Sequence, residues 1–204
     1  MIKIKLCGMK RACDIDFANE LEPDFVGFVF APKSKRYVSF EEAKKLRQRL
    51  NGGIIPVGVF VDESIERIEY LVRNNIISIV QLHGKEDNEY IKELRTKVNC
   101  EIIQAFHIET EHDIVKAEQS EAEYVMLDSG GGTGKVFNHS LIQNLKRNFF
   151  LAGGLDSENV CEAIVKCKPY AVDASSSLET DGVKDKNKMT AFVRAVRYGK
   201  DEVK

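Results

Sequence analysis

The sequence predicts an α/β fold, a single-domain (βα)8 or TIM barrel spanning residues 1–204. Three observations predict it. Short apolar runs of strand length alternate with longer segments of helical period. There are eight such runs, and their C-terminal ends recur about every 24 residues. No linker or change of composition interrupts them. Repeated βα units accept two architectures, the closed barrel and the open doubly wound sheet. Eight units favour the barrel, and 204 residues, low for that fold, require short loops.

The first run, Ile2–Gly8, alternates Ile and Lys before turning apolar. Phe25–Phe30 and Ile55–Val61 are nearly continuous in apolar residues, as strands covered on both faces should be. Between them, Ser39 with Glu42 three residues later forms a capping box that starts a helix. Ile65, Ile68, Leu71 and Val72 then mark a helical face, and Ile79–Gly84 is the fourth strand. Tyr90, Ile91, Leu94 and Val98 mark the next helix, followed by Glu101–Phe106 and Tyr124–Ser129. Phe149–Gly154 precedes a helix expected to begin near Ser157 and to carry Val160, Ala163 and Ile164. Ala171–Ser177 is the eighth strand, and Met189, Phe192, Val193 and Val196 mark the last helix. The polar tail after Arg197 is expected to fray.

Composition narrows the function. Thirty Lys and Arg against thirty-two Asp and Glu leave a net charge of −2, so neither a basic nucleic-acid surface nor a nucleic-acid partner is expected. No apolar run approaches the roughly 20 residues that cross a bilayer, and the N-terminus lacks a signal-peptide core. No membrane partner is expected, and a cytoplasmic location follows by elimination. The five cysteines are odd in number and none is spaced C-x-x-C, and no two of the four histidines stand four apart. Neither a disulfide scaffold nor a metal site is expected.

In such a barrel, chemistry belongs at the C-terminal ends of the strands and in the loops after them. Gly153-Gly154 and Ser175–Ser177 follow the seventh and eighth strands, where backbone amides, hydroxyls and a helix start near Ser157 suit a phosphate. The bland alternative is a tight turn and a polar loop. The run Gly130–Gly134 before Lys135 lacks the leading Gly and trailing Ser or Thr of a P-loop. A lid over a small substrate, or a plain surface loop, fits it better. Cys7 ends the first strand and Asp128 the sixth, across the barrel mouth. They form either an acid–base pair on opposite sides of one substrate or a buried inert thiol and a paired carboxylate.

Taken together, Lys5-Leu6-Cys7-Gly8-Met9, Gln81-Leu82-His83-Gly84, Leu127–Lys135, Leu151–Leu155 with Glu158-Asn159-Val160, Val172-Asp173 with Ser175-Ser176, and Gly182–Asp185 resemble the phosphoribosylanthranilate isomerase family. The resemblance covers nearly the whole chain, in order and at compatible spacing. It implies a single (βα)8 barrel of tryptophan biosynthesis that performs an Amadori rearrangement. The substrate, N-(5-phosphoribosyl)anthranilate, becomes 1-(2-carboxyphenylamino)-1-deoxyribulose 5-phosphate, without metal or organic cofactor. It further implies that Cys7 is the general base, Asp128 the general acid and Arg36 the partner of the anthranilate carboxylate. Gly153, Gly154, Ser175 and Ser176 fall on the implied phosphate loops. His83 is either a substrate contact at the mouth or a structural imidazole. Two positions depart from the family pattern: Ser177 replaces a usual glycine and Lys35 a usual proline.

Chemistry accommodates these roles. Asp128 needs a raised pKa to be protonated, for which desolvation under a Gly130–Gly134 lid is the expected cause. The sister isomerisation of histidine biosynthesis is the nearest rival, but there an aspartate stands where this chain has Cys7, and two phosphate sites are needed. A non-catalytic sugar-phosphate-binding barrel would not need both acid and base. An open nucleotide-binding sheet would need G-x-G-x-x-G after the first strand. The expected partner is a small sugar phosphate; homodimer and monomer both stay open.

Overall fold

The computed structural model describes residues 1–128, 142 and 145–199. Eight parallel strands close into a barrel in chain order: β1 (Lys3–Cys7), β2 (Phe25–Val29), β3 (Ile55–Phe60), β4 (Ile79–Leu82), β5 (Glu101–His107), β6 (Tyr124–Asp128), β7 (Phe149–Ala152) and β8 (Ala171–Ala174). The closing pair is β1 with β8, in register from Lys3↔Ala171 to Leu6↔Ala174. Helices α1 (Ala12–Leu21), α2 (Phe40–Arg49), α3 (Ile65–Arg73), α4 (Asn88–Arg95) and α5 (Glu111–Glu118) follow the first five strands. After β7 comes α6 (Val160–Cys167), and after β8 comes α7 (Lys186–Tyr198). The glycine-rich run Gly130–Gly134 and Lys135 lie outside the described residues.

Period-two alternation sorts each strand into two layers. On β1, Ile4 and Leu6 join the outer core with Ile15 and Ala18 of α1. The intervening Lys5 and Cys7 point into the barrel. Phe25, Val57, Ile79, Ile103, Met126, Phe150 and Ala171 pack the lower interior. Phe150 is its centre, with ring centroids 5.5 Å from Phe25, 5.6 Å from Tyr124 and 5.8 Å from Tyr170. Each such ring buried stabilises the fold by about 1.5–3 kcal/mol. Above this floor the lining changes from apolar to polar, and that change creates the site.

Most local signals act as expected. Ser39 Oγ accepts from the Glu42 N–H at 3.2 Å while Glu42 Oε2 accepts from the Ser39 N–H at 2.7 Å, closing the capping box on α2. Four boundaries differ. α6 is regular only from Val160; Asp156 Oδ1 accepts the N–H groups of Glu158 and Asn159 at 2.8 and 3.0 Å and caps the turn Ser157–Asn159 that leads into it. Val98 lies beyond the end of α4 but is still buried, and Tyr198 belongs to α7 rather than to the tail. The eighth strand stops at Ala174, and Ser176–Leu178 forms a 3₁₀ turn. A small hairpin follows, β9 (Glu179–Thr180) with β10 (Val183–Lys184). At its tip Asp181 and Gly182 have φ of 52° and 77°, the left-handed pair that favours Asp-Gly at a two-residue hairpin turn. Among the described residues, no helix is long and apolar enough to cross a membrane.

Candidate active site

A cavity of about 310 Å³ opens at the C-terminal ends of the strands. Cys7, Arg36, His83, Asp128, Gly153, Gly154, Ser175 and Ser176 all line it. These eight positions span most of the chain length, and barrel closure brings them to one mouth. Gln81, Asp173 and Ser177 line it as well.

Cys7 is the last residue of β1 and is 7% exposed. Its sulfur has room only because Gly27 is its neighbour on β2: a Cβ there would come within 2.6 Å of Sγ. Beneath it, Lys5 is fully buried and its Nζ donates to Asp173 Oδ1 at 2.8 Å. Burial raises the Cys7 thiol above its ordinary value, against the pull of Lys5 and Lys184. Burial alone would lower the Lys5 ammonium, but the negative charges of Asp173 and the Cys7 thiolate outweigh it and the pKa is raised. Asp173 is raised by burial despite Lys5.

Asp128 ends β6, with its backbone carbonyl tied to the Ile108 N–H at 3.0 Å. Its Oδ2 is 3.5 Å from His83 Nε2, and His83 Nδ1 is 3.1 Å from the Gln81 side-chain nitrogen. His83 therefore stands at the mouth beside the carboxylate, with its inner edge on the buried Gln81. The alternation of β4 could have flagged Gln81 as an inward polar residue in an apolar strand.

Arg36 reaches the cavity from the loop after β2. It is gripped side-on by Glu179 of β9, Nε to Oε1 at 2.5 Å and Nη2 to Oε2 at 2.9 Å. That bond raises the already high Arg36 pKa. Burial would raise Glu179, but Arg36 and Lys184 outweigh it and hold the carboxyl low. Lys184 Nζ donates to Glu179 Oε1 at 2.7 Å and to the Ser175 carbonyl at 2.9 Å. Ser175 Oγ in turn donates to the Cys7 carbonyl at 3.1 Å. A single polar network thus joins Arg36, the loop after β8 and the end of β1. Glu179 is not conspicuous in the sequence, and Lys184 stands out only as part of the Gly182–Asp185 motif, which gives it no role.

The loops after β7 and β8 form the remaining wall. β7 and β8 pair in register only at Phe150↔Ala171 and Leu151↔Val172, so their ends part and leave the two loops facing each other. Gly153 and Gly154 have φ of 94° and 66°, a consecutive left-handed pair that a side chain would strain. Ser177 Oγ donates to the Leu155 carbonyl at 2.5 Å, so the departure from glycine adds a tie between the loops. Ser157, by contrast, lines a separate cleft with Asp156 and Glu158, and no helix starts there. At the second departure, the Lys35 carbonyl accepts from Lys10 Nζ at 3.2 Å, well outside the cavity.

Comparison with known proteins is consistent with this geometry. Residues 4–195 match the family model described as N-(5'phosphoribosyl)anthranilate (PRA) isomerase. An N-(5'-phosphoribosyl)anthranilate isomerase of Endomicrobium trichonymphae is 40% identical over 202 residues, covering 97% of this chain and 99% of that protein. The crystal structure of phosphoribosyl anthranilate isomerase from Thermotoga maritima superposes with a TM-score of 0.88 at 37% identity, covering 95% of this chain and 98% of that one. Another structure of the isomerase, in complex with reduced 1-(o-carboxyphenylamino)-1-deoxyribulose 5-phosphate, gives a TM-score of 0.85 at 35% identity, covering 95% and 97%. With the family model spanning almost the whole barrel, the chain belongs to the N-(5'-phosphoribosyl)anthranilate isomerase family.

Proposed function

We propose that Cys7 and Asp128 are the base and the acid by which this isomerase converts N-(5-phosphoribosyl)anthranilate to 1-(2-carboxyphenylamino)-1-deoxyribulose 5-phosphate. The isomerisation itself is the activity of the family to which the chain belongs. The observation that carries the residue roles is the shared cavity: thiol, carboxyl, guanidinium and the two opposed glycine and serine loops all line it.

The reaction requires two proton movements on opposite parts of a sugar. Asp128, protonated, gives its proton to the ribose ring oxygen. The anilino nitrogen lone pair then forms a C=N bond as the C1–O bond breaks, leaving an open-chain iminium. That cation acidifies the hydrogen on C2, and the Cys7 thiolate removes it. The C–H electrons become the C1=C2 bond of an enolamine, and the iminium nitrogen recovers its lone pair. Transfer of the C2 hydroxyl proton and protonation at C1 give the ketone. A thiol is a credible base near neutrality, more so beside a cationic intermediate.

Binding groups flank this centre. The free edge of the Arg36 guanidinium receives the anthranilate carboxylate, with Glu179 holding the opposite edge. The phosphate fits between Gly153-Gly154 and Ser175-Ser176, which line the cavity from the loops after β7 and β8. His83 contacts the substrate beside Asp128. The test is to add the purified protein to freshly made phosphoribosylanthranilate and follow loss of anthranilate-type fluorescence. Turnover that disappears in both Cys7→Ser and Asp128→Asn supports the assignment. Turnover that survives in either folded variant removes that residue from its role.

A further inference from the structure

We infer that Lys5, held by Asp173, is a positioning residue that supplies the fixed counter-charge for the Cys7 sulfur inside the barrel. The inference rests on the reading of Cys7 as the base, and adds a group that never meets the substrate. Lys5 and Cys7 are two apart on β1 and face the same way, into the interior. The Lys5 ammonium is 0% exposed and donates to Asp173 Oδ1 at 2.8 Å from the paired position on β8. An ammonium has three donors, and this carboxylate oxygen takes one. From two residues away on the same inward face of β1, the charge of that ammonium opposes the rise that burial imposes on the Cys7 thiol.

A purely structural reason for the pair is weak. The interior layer directly below is filled by apolar side chains, and buried ion pairs are commonly no more stabilising than apolar residues of the same volume. The charge balance suggests a use instead. With Cys7 protonated, Lys5 and Asp173 cancel. When Cys7 ionises, one buried ammonium lies between two anions, so the new charge forms beside a cation already in place. Preorganised charge of this kind costs no rearrangement at the moment of reaction. The charged groups around Cys7 are Lys5 on its own strand, Asp173 on β8, Lys184 on β10 and Arg36 from the loop after β2. Lys184 and Arg36 are engaged by Glu179 as Lys5 is by Asp173, but of the three cations only Lys5 shares the inward face of β1 with Cys7.

The test reads the thiol directly. Cys7 alkylation by iodoacetamide is followed against pH by mass spectrometry of its peptide, in wild type, Lys5→Met and Lys5→Met/Asp173→Asn. The double variant removes both charges, so no lone buried carboxylate remains. In folded Lys5→Met the alkylation midpoint should move up by about one pH unit or more, cutting alkylation below the midpoint about tenfold; in the double variant, which also loses the opposing Asp173 charge, it should move up by less. The fall in kcat should match, with KM within about twofold. An unmoved midpoint in a folded variant overturns the inference and leaves Lys5 a structural residue. Wild-type protein carrying ¹⁵N-lysine gives an arm that needs no variant: the Lys5 Nζ resonance should titrate with the Cys7 midpoint, and indifference to it overturns the inference. Failure of the base reading is separate, because a fully active Cys7→Ser protein removes Cys7 from catalysis whatever the alkylation profile of wild type shows.

Discussion

In their proposed roles Cys7 and Asp128 make opposite demands on protonation. The base must be a thiolate and the acid must keep its proton, yet burial pushes Cys7 above an ordinary thiol. If the thiol is the higher of the two, the working form is a minor protonation state of the pair. The profile of kcat/KM against pH should therefore be a bell. Its falling basic limb should lie above the ordinary thiol value of about 8.5 and coincide with the midpoint of Cys7 alkylation. A basic limb well below that midpoint would assign the limb to another group. Replacing either residue isosterically, Cys7→Ser or Asp128→Asn, should lower kcat by about 10²–10⁴-fold with folding intact. Circular dichroism and steady-state kinetics check both halves of that statement. If Cys7 were only a packing thiol, Cys7→Ser would cost stability and leave kcat near normal.

Among the elements, the short hairpin β9–β10 has a larger part than its length suggests. It brings Glu179 to Arg36 and Lys184 to Ser175, and so couples the loop after β2 to the loop after β8. Arg36→Lys replaces a planar fork by a single ammonium, which can satisfy Glu179 or a substrate carboxylate but not both in the same geometry. KM should rise at least about tenfold with a smaller change in kcat, measured on the purified variant; an unchanged kcat/KM would remove Arg36 from the site. The loop after β7 belongs to the proposed phosphate site. Gly154 has φ of 66° with open space around an added Cβ, so Gly154→Val is opposed by backbone strain rather than by collision. It should weaken competitive inhibition by inorganic phosphate and raise KM in proportion. Phosphate inhibition equal to wild type would place the anion elsewhere.

For the molecule as a whole, the barrel floor sets how rigid the mouth can be. Phe150 is fully buried, and three aromatic rings converge on it from β2, β6 and the start of β8. Phe150→Ala removes the centre of that layer and should cost about 3–5 kcal/mol. Urea denaturation should show a lower midpoint with an unchanged m-value. A loss below about 1 kcal/mol would mean the floor re-packs around the gap. Because the floor lies below the polar layer, KM of the folded variant should stay near wild type.

The sequence by itself determined the architecture and picked out the candidate acid–base pair. Continuous apolar runs such as Phe25–Phe30, recurring between helical faces, are local consequences of burial on both sides of a strand, and they survive in one dimension. Cys7, Asp128, Gly153-Gly154 and Ser175-Ser176 were legible because their places at strand ends follow from that period, and the family resemblance gave them roles. Only the tertiary structure decided what surrounds them. That Gly27 makes room for the Cys7 sulfur, and that Lys5 meets Asp173, are pairings across strands whose register is set by barrel closure. That Asp156, not Ser157, caps the turn leading into α6 is a choice that two or three hydrogen bonds settle. That Arg36 is clasped by Glu179 depends on a hairpin 143 residues away. Strand and helix are written in the spacing of neighbours along the chain. The electrostatics of the site depend on contacts between distant residues, and those exist only once the eighth strand has met the first.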